Sequence, residues 1–175
     1  MKTLLTRSIS GLIFVALVIL SLMLEQIYFL VFSSIVVGIG LFEFHKLFSK
    51  QKQFEHPWSI TVILGLLVFF SSILPSYFIY IFSLNLIWLV PLIILIYGAL
   101  QLLVFKEKAT SFFLFIAAIL YIVVPFYLGF NVHIKDTGAV PIILGVFLLV
   151  WTNDTFAYLL GNIFGKHKLY EKVSP

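Results

Sequence analysis

The chain has 175 residues, 62% of them hydrophobic and only 10% charged, with a mean hydropathy of +1.17. A soluble domain carries about 25% charged residues, so this composition excludes a soluble globular fold and leaves an integral membrane protein. The absence of cysteine excludes disulfides and thiolate metal sites, and the net charge of +4 comes without the aromatic–basic interleaving of a nucleic-acid binder, so no nucleic acid is expected as a partner.

The N-terminus, MKTLLTRSISGLIFVALVILSLML, has the basic start and apolar run of a signal peptide. The run is longer than a typical signal core, and no small-x-small cleavage site precedes Glu25, so it reads as a retained first span. Uncharged runs at 8–24 and 27–42 are separated by Glu25-Gln26, and each is near the lower limit of about 17 residues for a spanning helix. A polar loop, EFHKLFSKQKQFEHP, follows over 43–57. The next uncharged stretch is too long for one helix. Pro75-Ser76 and residues 83–85 offer the break, giving spans at 58–74 and 86–105, with Pro91 a possible kink in the second. A fifth span is predicted at 111–130, a loop at 131–138 and a sixth span at 139–161.

Backbone polar groups in lipid must be satisfied within each segment, and no period-two alternation suggests a barrel, so these spans are helices. The fold class is an all-α integral membrane protein with about six transmembrane helices in a single polytopic domain, 1–175. With the N-terminus inside, Lys2, Arg7, Lys46, Lys50, Lys52, Lys106, Lys108, Lys166, Lys168 and Lys172 are cytoplasmic, and only Lys135 of the 11 basic residues lies outside. That asymmetry predicts that both termini are cytoplasmic. Trp58 and Trp88 fall near predicted interfaces, whereas Trp151 does not.

The sixth span contains the chemically expensive residue. Asp154 is the one acidic residue inside a predicted span, and an Asp at the centre of a membrane helix costs about 2.5–3.5 kcal/mol on insertion scales. It lies seven residues before Gly161, roughly 10 Å above the cytoplasmic end of the helix. Asp154, Ala157, Tyr158, Gly161 and Gly165 share a helical stripe that combines a carboxylate, a phenol and positions almost without side chain. The stripe reads either as a ligand-approach face or as a Gly-x-x-x-Gly packing motif with Asp154 bonded to a neighbouring helix. Beyond it, Lys166, His167, Lys168 and Lys172 form a basic cluster. This serves as a topology signal with affinity for anionic headgroups, or as a phosphate-binding edge beside a carboxylate able to hold a divalent cation.

The tail from Asn153 to Pro175, NDTFAYLLGNIFGKHKLYEKVSP, resembles the phosphatidate cytidylyltransferases, or CDP-diacylglycerol synthases. In that family an Asp-Thr-x-Ala-Tyr-x-x-Gly run leads through Phe-Gly-x-x-Lys to Ile-Ser-Pro. Asp154, Thr155, Ala157, Tyr158, Gly161, Phe164, Gly165, Lys166, Lys168, Ser174 and Pro175 match position by position over about 23 residues. The resemblance implies that CTP and phosphatidic acid give CDP-diacylglycerol and pyrophosphate with Mg²⁺, at a cytoplasm-facing site of a multi-pass protein in the cell membrane. It implies Asp154 and Lys166 as catalytic residues, Asp154 as the metal ligand, and Tyr158, Gly161, Gly165, Lys168 and Ser174 as substrate-binding residues. Membrane lipids are the expected surroundings, and a homodimer is one expectation for the full-length protein. The family pattern continues past Ser-Pro with a Lys-Thr-x-Glu-Gly segment and a later basic–acidic signature. The 175 residues are therefore expected to be an incomplete portion, inactive alone, of a parent enzyme. Three other readings of the residues stay open: a CTP-dependent lipid or isoprenoid kinase, a transporter or channel using Asp154 as its ion site, and a purely structural membrane adaptor, which would leave Asp154 unexplained.

Overall fold

A computed structural model describes residues 2–50, 56–77, 89–105, 109–136, 138 and 140–164. Among these the fold is entirely helical. Six helices follow in chain order: α1 (Lys2–Met23), α2 (Gln26–Ser49), α3 (Trp58–Tyr77), α4 (Leu89–Ala99, running on as a π-helical stretch Leu100–Phe105), α5 (Ala109–Lys135) and α6 (Ile142–Phe164). By length and apolarity three of them are able to cross a membrane: α2, α5 and the segment Ile142–Gly161 of α6. The apolar cores of α1, α3 and α4 are shorter.

The break between α1 and α2 falls at Glu25, as the charge pattern predicts. Glu25 takes extended backbone angles (φ −62°, ψ 152°), and its carbonyl accepts the Tyr28 N–H at 2.9 Å. Helix α2 then runs seven residues past the predicted end at 42. No glycine or proline interrupts 41–49, and Glu43 supports Lys46 one turn later at 3.5 Å. The first half of the predicted polar loop is therefore helix. Its buried stripe, Ser33, Val37, Leu41 and His45, continues from apolar into polar residues at four-residue spacing.

Helix α3 passes through Pro75 and reaches Tyr77, while the predicted break at 83–85 lies outside the described residues. Pro91 sits in the first described turn of α4, and the departure from α-geometry comes at the other end, in the π-helical stretch. Helix α5 contains a second π-helical stretch, Ile119–Val123, immediately before Pro125. A proline inside a helix lacks an N–H and crowds the carbonyl four residues back, and the wider π-turn relieves both. The helix also continues through Asn131–Lys135, which the sequence reading placed in a loop.

Helix α3 packs against α2, α4 and α5, α2 packs against α1 and α5, and α6 lies against α5 and α1. The core is apolar, with Val37, Leu41, Phe69, Phe115, Ala118 and Phe130 fully buried. Two glycines permit close helix approach. A Cβ on Gly65 would collide with the Leu41 side chain, and one on Gly98 would sit 3.1 Å from the Phe112 ring. Helix α6 is different. Among its described side chains only Ile143, Leu144, Phe147 and Trp151 lean on the core, while most of the apolar ones remain exposed, as those of a lipid-facing helix do.

Candidate functional site

Asp154 lies on α6, 10 residues before its last described residue, Phe164. The half-buried Ile143, Phe147 and Trp151 recur at four-residue spacing, and Asp154, Tyr158 and Gly161 continue that face toward the C-terminal end. The face is packed in its first half and open in its second. Asp154 is exposed and makes no hydrogen bond or ion pair among the described residues. A Cβ on Gly161 would meet nothing within 4 Å. Among the described residues, then, no neighbouring helix is clasped at Gly161. The backbone of Tyr158 belongs to α6. Its side chain, together with Gly165, Lys166, Lys168 and Ser174, lies outside what the structure describes. No group of three or more His, Cys, Asp or Glu residues able to hold a metal ion occurs among the described residues.

A second polar centre escaped the sequence reading. His45 on α2, His56 just before α3, Thr61 on α3, and Tyr97 and Gln101 at the end of α4 form one buried hydrogen-bonded chain. None of the five exceeds 3% exposure. Thr61 Oγ1 is 2.9 Å from His45 Nδ1 and 3.0 Å from His56 Nε2. His56 Nε2 is also 3.2 Å from the Tyr97 hydroxyl, which accepts from Gln101 Nε2 at 2.7 Å. The rings of His45 and His56 meet edge to face at 5.1 Å, and Tyr97 lies 3.8 Å from Phe115 between ring centroids. The threonine hydroxyl has one proton, so it donates to one imidazole and accepts from the other. Reversing its direction exchanges the tautomers of both rings.

Low local polarity strengthens such bonds and makes each broken one costly, so the chain ties three helices together at one end of the bundle. Gln101, at the start of the π-helical stretch, shares a helical face with Tyr97 four residues earlier. The available sequence signal was a set of hydrogen-bonding side chains flanking apolar runs. It shows no fixed spacing, because its members come from separate helices.

At the opposite end, the α5–α6 turn is fastened by Asp136. Its carboxylate accepts the backbone N–H groups of Ile142 and, at 3.0 Å, Gly138. These two bonds, Ile142 first, hold the carboxyl below the ordinary aspartate range. His133 lies beside it, edge-on to Phe29 at 5.0 Å, and neither of its ring nitrogens has a hydrogen-bond partner among the described residues.

Comparison with known proteins adds what this geometry leaves open. A 33-residue stretch is 58% identical to the phosphatidate cytidylyltransferase of Staphylococcus aureus strain COL. The same length is 54% identical to the enzymes so named from Staphylococcus epidermidis and Staphylococcus saprophyticus. The stretch is 19% of this chain and 13% of each of those relatives, so it spans a small part of either. No solved structure matches. The description "Cytidylyltransferase family", in contrast, matches residues 5–175, nearly the whole chain. This apolar, all-helical membrane protein belongs to the cytidylyltransferase family.

Proposed function

We propose that the parent protein is a phosphatidate cytidylyltransferase, a single polytopic domain of six spans in the cell membrane with both termini and its active site on the cytoplasmic side. The carrying observation is a carboxylate, Asp154, that has no partner among the described residues and lies on an exposed helical face, in a chain that matches the cytidylyltransferase family over 5–175. A phosphate oxygen of phosphatidic acid attacks the α-phosphorus of CTP. The new P–O bond forms as the α–β bond breaks, and pyrophosphate leaves with the electron pair, giving CDP-diacylglycerol.

Both substrates are anions, so the reaction needs positive charge near the transferring phosphorus. Magnesium sites commonly use one or two carboxylates and complete their shell with water and substrate phosphates, and an exposed Asp154 without a partner among the described residues fits that pattern. When bound, Mg²⁺ supplies charge neutralisation and orientation at the phosphates. Lys166 and Lys168 attract the phosphates from the cytoplasmic side, and Lys166 is the one assigned to the reaction itself. Tyr158 and Ser174 donate to substrate oxygens, and Gly161 and Gly165 leave room for the substrate against the α6 backbone.

The test is isotopic. With the full-length protein and phosphatidic acid, label in the α-phosphate of CTP should enter the lipid product, and label in the γ-phosphate should not. Transfer of the γ-label would replace this reading with a CTP-dependent kinase. Lipid-independent ion flux blocked by Asp154→Asn would replace it with a transporter.

A further inference from the structure

The buried chain of His45, Thr61 and His56 has an opening. A cavity of about 570 Å³ lies where α2 gives way to α3, with His45, Lys46 and Lys50 on one side and His56 and Trp58 on the other. Lys46 and Lys50 are one helical turn apart, so both ammonium groups serve the same face. Lys46 is half-exposed and Lys50 exposed, which leaves them free to reorient toward an occupant. The described lining includes no carboxylate. Glu43, one turn back, holds Lys46 at 3.5 Å and is the local competitor for it.

The remaining walls define the environment. Phe42 and Trp58 meet edge to face at 5.2 Å and make an apolar side, with Trp58 53% exposed at the first turn of α3. A half-exposed tryptophan beside lysines is the arrangement found at a membrane–water interface. The two imidazoles form a polar floor whose inner nitrogens are already engaged with Thr61. A site with two cations, polar floor and apolar side matches an anionic group with several acceptor oxygens at the edge of the bilayer, and its volume is in the range of small-ligand pockets.

We propose that this cavity is a phosphate-binding site, filled by the headgroup of an anionic phospholipid or by free phosphate. Its described lining comes from α2, from His56-Pro57 and from Trp58 at the start of α3, and none of it belongs to α6. It therefore stands apart from the reaction assigned to Asp154 and does not depend on it.

Trp58 lines the cavity and reports on it directly once the other two tryptophans are removed (Trp88→Phe, Trp151→Phe). The 175-residue chain in phosphatidylcholine nanodiscs is titrated with short-chain phosphatidylglycerol and, separately, with inorganic phosphate. Phosphatidic acid is left out, so substrate binding near Asp154 does not enter the measurement. The expected result is a saturable change in Trp58 emission whose midpoint weakens at least tenfold in Lys46→Gln/Lys50→Gln. The midpoint is retained in Lys46→Arg/Lys50→Arg and tightens in Glu43→Gln, where the competing carboxylate is gone. The opposite signs separate anion binding from general damage, since all these side chains lie at the surface. A response to the lipid alone assigns the headgroup, and a response to inorganic phosphate assigns the free ion. No saturable response to either, a midpoint indifferent to both lysines, or an equal response to added short-chain phosphatidylcholine overturns the proposal.

Discussion

His45 and His56 share one hydroxyl: the two imidazoles lie 2.9 and 3.0 Å from Thr61 Oγ1, and all three residues are buried. Removing that oxygen without changing the shape of the side chain isolates its worth. Thr61→Val should take one hydrogen bond from each of two buried ring nitrogens and destabilise the bundle by about 2 kcal/mol, whereas Thr61→Ser should stay close to the parent. Reversible unfolding in mixed micelles, followed by circular dichroism, measures the difference. Equal stability of the valine and serine variants would mean that the network contributes nothing.

Asp154 carries the catalytic proposal. In the full-length parent, Asp154→Asn keeps the shape and removes the charge, and turnover should fall by at least about a hundredfold, or roughly 2.7 kcal/mol of transition-state stabilisation. Membrane insertion should be unchanged, because an amide is no harder to insert than a carboxylate. Steady-state assays across a Mg²⁺ titration, with membrane yield measured in parallel, check both statements. Near-normal turnover and metal dependence would move the metal site elsewhere.

The proposed topology places Lys50 and Lys135 on opposite sides of the membrane. Single cysteines at these positions, in a chain that has none of its own, can be labelled in spheroplasts with an impermeant maleimide. Position 135 should react from outside and position 50 only after lysis. Labelling of position 50 in intact spheroplasts contradicts the six-span arrangement.

Asp136 gives a pH prediction with a fixed sign. Its carboxyl lies below the ordinary aspartate range because the N–H groups of Ile142 and Gly138 bond the charged form. A depressed folded-state pKa contributes stability above the unfolded value, about 3.9, and that contribution is lost as pH falls from there through the folded value. The stability gap between parent and Asp136→Asn should therefore be constant from neutral pH to about 5 and shrink below about 4. Thermal unfolding across that range measures it. A gap that widens in acid would contradict the assigned hydrogen bonds.

Much of the helical layout is legible in the chain. Glu25-Gln26 separates α1 from α2 because two adjacent polar residues interrupt otherwise uncharged runs, and the start of α3 at Trp58 follows Pro57. The errors are at the ends. Residues 43–49 and 131–135 are polar enough to read as loops, yet they continue α2 and α5, since polarity alone does not stop a helix that lacks a breaking residue. Asp154 was visible as a costly charge in an apolar run, and the tail motif around it pointed to the family that the whole chain matches.

Which segments become helices in this protein was determined by the sequence itself, because apolar runs without water to solvate their backbones must bond internally. The partnership of His45, His56, Thr61, Tyr97 and Gln101 was decided only by the tertiary structure. These residues span 57 positions of sequence, from 45 to 101, and no local period links them. Their hydrogen bonds exist because α2, α3 and α4 converge at one end, where buried polar side chains replace water with one another.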